Sequence, residues 1–201
     1  MNIHPRLEAI FSHYIQVLQE TDYTITSNTQ ISKIKRLIET LILVVYRISC
    51  QTTPKYIEAL MYTNIPQLLL VYLKMEENSQ FISEKISNIF LKFIENGNDI
   101  VRIKIISLEF IEAMNTMLDS SHLNMNAGTC IKSLIKLAYF GNKLYKDHGT
   151  NMIVIYYNDI GLYENLEKIH NLNNLCSESL NELELLMTLM NNPNDIAEVD
   201  N

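Results

Sequence analysis

Side chains that could do chemistry are few in this sequence, and their spacing rarely brings two of them together. Asp147 and His148 are adjacent and could be taken for an acid–base pair, but neighbouring residues on a helix point in different directions. The five histidines are scattered: His4, His13, His122, His148 and His170. They form neither an i, i+4 pair nor a cluster with cysteine at ligand spacing, so the sequence predicts no zinc site and no other metal.

Motifs that hold cofactors or activate nucleophiles are also missing from the pattern. The sequence has no glycine-rich phosphate loop, no Gly-x-Ser-x-Gly elbow and no visible Ser/His/Asp arrangement. We therefore expect a protein that is not an enzyme, with no catalytic residue and no cofactor.

Two groups of polar residues are candidates for binding instead. Glu84 and Asn88 are four residues apart, so on a helix they share a face and could offer an acceptor pair to a basic ligand. An ordinary solvated pair is the alternative. The run SKIKR, Ser32 to Arg36, could be a basic patch for an acidic partner, or only a solvated face. Cations at the start of a helix are opposed by the helix dipole, which complicates both interpretations.

Composition limits the class of partner and the compartment. The formal net charge of -7 disfavours a nucleic-acid footprint, which needs a surplus of Lys and Arg, and favours a basic peptide or protein as the partner. No apolar run approaches the roughly 18 residues of a membrane span, and MNIHPRLEAIFSHYI lacks the pattern of a signal peptide. The three cysteines lie beside apolar helical patterns, which predicts reduced packing residues in the cytoplasm, the nucleus or both.

The elements that must position these residues are helices nearly throughout. Gly and Pro number only 5 and 4, and apolar residues recur at helical spacing rather than in alternation. The pattern predicts helices over about 7–18, 34–45, 54–62, 65–74, 79–95, 100–106, 108–118, 127–140, 142–157, 162–172 and 178–190. Gly141 is predicted to break the helix that precedes it. We expect a core built from Leu68, Leu69, Leu91, Ile111, Leu118, Leu134, Leu137 and Leu166.

The helices follow a repeated order. Middle helices are predicted to start near Pro66, Phe110 and Leu162, a spacing of roughly 45 to 50 residues that is typical of armadillo and HEAT repeats. The predicted fold is all-α: a short right-handed α-solenoid of three to four repeats. We expect one helical-repeat domain over residues 1–191, with a mobile loop at about 21–30 and an acidic, disordered tail at 192–201. The exposed ends of such an array could form a homodimer or dock on a larger protein.

Three segments carry a family resemblance. They are NIPQLLLVYL at Asn64 to Leu73, ISNIF at Ile86 to Phe90, and NDIGLYENLEKIHNLNNLCSESLNELELLMTLM near the end. The chain resembles the armadillo repeats of importin alpha, in particular its C-terminal repeats. The resemblance implies an adaptor in nucleocytoplasmic transport that recognises a peptide or partner along the concave face of the third helices. Its partners would be a nuclear transport receptor, a nucleoporin or cargo. The alternative is an armadillo or HEAT scaffold subunit outside transport.

The resemblance also implies a set of groove positions. The family binds basic peptides through Trp-x-x-x-Asn pairs, and Asn88 matches the Asn, whereas Glu84 stands at the Trp position and the chain has no Trp. Leu43 and Arg47 take the corresponding positions one repeat earlier, and Lys132 and Lys136 take them one repeat later. The candidate partner-binding residues are Asn88, Glu84, Arg47, Lys132 and Lys136. Their three cations would repel a basic peptide, so these residues disfavour the basic peptides that the family binds.

Overall fold

The computed structural model describes residues 3–21, 28–50, 53–75, 79–119, 127–172 and 175–193. Over these ranges the ordered elements are helices, and no strand is present. The chain divides into two compact units, Met1–Lys104 and Ile105–Asn201. The single domain over residues 1–191 stays a prediction.

The first unit contains five helices and most of a sixth. In chain order they are α1 (Ile3–Glu20), α2 (Asn28–Ser49), α3 (Pro54–Met61), α4 (Ile65–Leu73), α5 (Gln80–Asn96) and α6 (Asp99–Ile106), which runs across the unit boundary. Helix α1 packs on α4, α2 packs on α5, and the short α3 contacts all of α2, α4 and α5. The unit is therefore two stacked layers of paired helices, α1 with α2 and α4 with α5.

The second unit repeats this arrangement. Its helices are α7 (Phe110–Asp119), α8 (Ala127–Leu144), α9 (Met152–Asp159), α10 (Leu162–Asn171) and α11 (Ser177–Asn191). Helix α7 packs on α10, α8 packs on α11, and the short α9 contacts α8, α10 and α11. In chain order the described helices form one pair followed by three short–middle–long triads. This order of helices is the one that the sequence spacing predicts for armadillo-like repeats.

Apolar side chains from both layers of each unit fill its interior. In the first unit Phe11, Ile38, Leu69, Phe90 and Phe93 are almost completely buried. In the second, Ile111, Leu118, Leu134, Leu137 and Leu166 are buried as predicted. Of the other predicted core residues, Leu69 and Leu91 are buried, whereas Leu68 is only half-buried.

Local sequence sets several helix starts. Pro54 and Pro66 lie in the first turn of α3 and α4, where a missing backbone N–H costs nothing. Ser79 caps α5, its hydroxyl accepting a hydrogen bond from the Ile82 backbone N–H at 3.3 Å. The start of the middle helices at Ile65, Phe110 and Leu162 confirms the predicted repeat positions.

The predicted helix break at Gly141 is wrong. Gly141 is buried inside α8, which continues to Leu144. A Cβ at this position would collide with the side chain of Asn151, so packing rather than backbone freedom explains the glycine. The chain instead leaves the helix at Tyr145, forms a short 3-10 turn over Lys146–His148, and reverses at Gly149, whose φ is 70°. The predicted helix over 142–157 is accordingly interrupted there.

Other boundaries and burials also differ from the sequence predictions. The predicted loop at 21–30 is too long, because α2 begins at Asn28 and this extra turn places Ile31 in the core. Ile10 and Leu37, which belong to the apolar pattern of the first two helices, are 47% and 45% exposed. Of the predicted mobile loop, residues 22–27 lie outside the described residues, as do residues 194–201 of the predicted tail.

The cysteines divide between core and surface. Cys130 is buried on α8 as expected of a packing residue. Cys50 and Cys176 are exposed, which corrects that prediction, and none of these three cysteines forms a disulfide within the described part of the chain.

Candidate partner-binding surface

Helix α5 places Glu84 and Asn88 on its outward side. Ile82, Ile86 and Phe90 turn into the core, whereas Glu84 and Asn88 are half-buried. The Asn88 side-chain Nδ2 donates to the backbone oxygen of Glu84 at 3.0 Å. This bond holds the amide along its own helix and leaves its Oδ1 as the acceptor for a ligand. The structure thus brings this predicted pair together.

The Glu84 carboxylate is occupied by a residue that the sequence analysis did not single out. Lys85 Nζ lies 3.0 Å from Glu84 Oε1, and the two side chains are only 18% and 23% exposed. The same ammonium lies 4.8 Å from the ring centroid of Phe81 and 5.3 Å from that of Tyr46 on α2. Two aromatic faces and one carboxylate therefore fix this cation in place.

Tyr46 links this cluster to the end of α2. The pKa of Tyr46 is raised, first by its hydrogen bond with the Cys50 side chain, while Lys85 opposes the shift. Arg47, the next residue on α2, is exposed. We call this surface the α2–α5 face: Tyr46, Arg47, Phe81, Glu84, Lys85 and Asn88. The i, i+4 spacing of Phe81 and Lys85 is the sequence signal that could have revealed the cluster.

In the second unit, two acids of the neighbouring helix balance one of the predicted cations. Lys132 Nζ on α8 lies 2.9 Å from Glu178 Oε1 and 3.4 Å from Glu182 Oε1 on α11. The pKa of Lys132 is raised, chiefly by the hydrogen bond to Glu178. Lys136, one turn further along α8, is exposed. Lys132 is thus not the isolated groove cation that the sequence alignment implies, because α11 supplies its counter-charges.

The predicted site residues are divided between the two units. Glu84 and Asn88 lie together on α5, Arg47 lies on α2 in the same unit, and Lys132 with Lys136 lies on α8 in the other unit. Asp147 and His148 are both exposed in the 3-10 turn. Whether the five candidates bind a partner stays a prediction.

The described residues contain neither a candidate metal site nor a candidate membrane-spanning helix. No group of three or more His, Cys, Asp and Glu residues within the described ranges could hold a metal ion. None of the helices in the described part of the chain is long and apolar enough to cross a membrane.

Comparisons with known proteins find likeness in fold and none in sequence. The sequence matches no protein-family model and no curated protein. An engineered protein solved by the Northeast Structural Genomics Consortium superposes with a TM-score of 0.50 at 13% identity, over 92% of this chain. The match spans only 47% of that engineered protein, about half its length. A designed armadillo repeat protein in complex with the peptide (KR)4 gives a TM-score of 0.46 at 12% identity, covering 93% of this chain and 86% of that one.

The helices and their packing define the class of protein. The chain is an all-α helical-repeat protein of the α-solenoid class, which confirms the fold class predicted from the sequence. Its repeats consist of a short, a middle and a long helix, with successive long helices packed side by side within each unit.

Proposed function

We propose that the protein is a scaffold without catalytic activity that binds a segment of a partner protein along its third helices. The observation that carries this proposal is the α2–α5 face. There a lysine is held between two aromatic rings beside a carboxylate and an oriented amide, all on rigid helices. Groups fixed in this way lose little conformational entropy when a ligand binds, which favours recognition.

The chemistry of this face suits a peptide backbone. Asn88 Oδ1 can accept from a backbone N–H, and the half-exposed ring of Phe81 offers apolar area beside it. Arg47 and Lys85 supply two cations, one balanced by Glu84. The face therefore favours a neutral or acidic segment over a lysine-rich one.

The first experiment is affinity purification of the tagged protein from its own cells, at low and moderate salt, with partners identified by mass spectrometry. We expect Asn88→Ala and Lys85→Ala to lose a partner that the unchanged protein retains. Asn181→Ala is the matched control, because Asn181 is an exposed asparagine on α11. Equal recovery with all three variants would contradict a role for the α2–α5 face.

More specifically, we propose that the protein is an adaptor of the importin alpha type, which acts in nucleocytoplasmic transport in the cytoplasm and nucleus. Two resemblance segments support it, since NIPQLLLVYL and ISNIF fall on α4 and α5, the middle and long helices of one repeat. The partner would then be a transport receptor, a nucleoporin or nuclear cargo. The alternative is a scaffold subunit of a complex outside transport.

Purified transport receptors separate these two possibilities. Direct binding of an export receptor, an importin beta or a nucleoporin fragment to the purified protein would support the transport adaptor. Binding should weaken with Asn88→Ala and persist with Asn181→Ala. Stable recovery in an unrelated complex, with no receptor binding, would assign the protein to the scaffold alternative.

A further inference from the structure

Helix α2 carries a second apolar face besides the one in the core. Its core residues Ile31, Ile38, Ile42 and Val45 are buried. Five further aliphatic residues recur at intervals of three and four and so line another side of the helix. We call them the α2 outer stripe: Ile34, Leu37, Leu41, Val44 and Ile48. None of the five is buried, and Leu37 and Val44 are 45% and 39% exposed.

The exposed part of this stripe points away from α5. Tyr46 marks the flank of α2 that meets α5, because its ring lies over Lys85. At about 100° per residue, Leu37 and Val44 lie roughly 160–180° around the helix from Tyr46. Helix α1, which packs on α2, likewise exposes Ile10 to 47%. A continuous row of exposed and half-buried aliphatic side chains, such as the α2 outer stripe, is typical of a docking surface.

The border of the stripe is basic although the protein is acidic. Lys33 lies one turn before Leu37, Arg36 lies next to Leu37 in the chain, and both cations are exposed. Helix α2 has four cations and one anion, a formal charge of +3, whereas the whole chain carries -7. The one anion, Glu39, lies roughly 140–160° around the helix from Leu37 and Val44.

The helix dipole opposes the basic run Ser32 to Arg36 less than the sequence analysis predicts. Helix α2 begins at Asn28, so Ser32 to Arg36 starts with the fifth residue and no basic residue lies in the first turn. The unfavourable dipole interaction falls off within that turn. Lys33 and Arg36 are therefore compatible with a stable helix, and both are exposed on its surface.

We propose that the α2 outer stripe binds an acidic amphipathic helix of a partner protein. From Ile34 to Ile48 the stripe extends about 21 Å, the length of four turns of helix, and a helix packs on such a stripe by its own apolar ridge. Carboxylates flanking that ridge would meet Lys33 and Arg36. A second copy docked through the same stripe would bring two basic borders together, which disfavours it. The α2–α5 face lies on another flank, so this inference does not rest on the proposed function.

The test uses a synthetic peptide of about 18 residues, with leucine along one helical face and glutamate on its flanks. Fluorescence anisotropy at low salt measures its binding to the full chain. We expect the glutamate peptide to bind and its affinity to fall in high salt, while a lysine-flanked peptide and a scrambled peptide do not bind. Leu37→Ser and Val44→Ser should each weaken binding about tenfold, by removing one apolar contact.

Matched control variants test whether a loss of peptide binding is specific to the α2 outer stripe. Leu185→Ser changes a similarly exposed aliphatic residue on α11, and Lys55→Glu changes an exposed lysine on α3, so neither should alter binding. The pair Lys33→Glu and Arg36→Glu should abolish it, and this variant serves if Leu37→Ser fails to fold. Equal binding by the glutamate and scrambled peptides, or an unchanged affinity in Leu37→Ser, would overturn the proposal. So would a dimer in sedimentation that Leu37→Ser dissociates, because the occupant would then be a second copy.

Discussion

The close contact between Gly141 and the Asn151 side chain predicts that Gly141→Ala destabilises the unchanged protein but stabilises the Asn151→Ala variant. Asn151 is 1% exposed, and its Oδ1 caps α9 by accepting from the backbone N–H groups of Ile153 and Val154 at 3.0 and 3.3 Å. Its Nδ2 donates to Ala138 O at 2.7 Å and to Asn142 Oδ1 at 2.6 Å. These four bonds hold the amide where a Cβ at residue 141 would have to lie.

Gly141→Ala should therefore destabilise the protein, by about 1–3 kcal/mol for overpacking. Asn151→Ala should cost about 2–4 kcal/mol, because it removes a helix cap and leaves the buried Asn142 Oδ1 without its donor. In the Asn151→Ala background the space is free, and Gly141→Ala should instead stabilise by up to about 1 kcal/mol through helix propensity. The double-mutant cycle should thus show a coupling of about 2 kcal/mol or more.

Urea denaturation followed by circular dichroism measures the four free energies of unfolding. Asn181→Ala, at an exposed position on α11, controls for the loss of an asparagine and should change stability by less than about 0.5 kcal/mol. If Gly141→Ala has the same effect with and without the Asn151 side chain, steric exclusion is not the reason for the glycine.

Three further predictions concern single interactions. Hydrogen bonding to Glu112 raises the pKa of Tyr156 to about 12. The Tyr156 hydrogen bond should contribute its full stabilisation below pH 10, the ordinary pKa of tyrosine being about 10, and lose it as the pH rises from 10 towards 12. Denaturation at several pH values measures this loss, which should be absent in Tyr156→Phe. Lys132→Met should cost less than about 1 kcal/mol in urea denaturation, and less still in high salt, because the lysine is 37% exposed. Ser79→Ala should cost about 1 kcal/mol in thermal denaturation through loss of the α5 cap, whereas an unchanged melting temperature would show that Ser79 is not a cap.

The repeated helices could be predicted because their signals are local. Pro66, Ser79 and Gly161 lie at helix starts, and each acts on residues within one turn. The same proximity allowed Glu84 and Asn88 to be placed on one face. Spacing along a helix is thus enough to predict elements and the pairs within them.

Interactions between distant residues could not be predicted in the same way. Lys132 and Glu178 are 46 positions apart, and their pairing depends on how α8 and α11 stack. The sequence predicts a helix break at Gly141 because glycine is a poor helix former, yet the neighbouring side chain of Asn151 excludes any larger residue. Tertiary packing overrode local propensity at both positions.

Because the α2–α5 face and the α2 outer stripe lie on opposite flanks of α2, we predict that they bind their ligands independently. The α2–α5 face and the α2 outer stripe share one rigid helix, but Leu37 points about 180° away from Tyr46. Two ligands could therefore bind at once, and their effects should add. Asn88→Ala should leave the affinity for the glutamate peptide unchanged, and Lys33→Glu with Arg36→Glu should leave the partner of the α2–α5 face in place. A competition between the peptide and that partner would instead mean that both use a single surface.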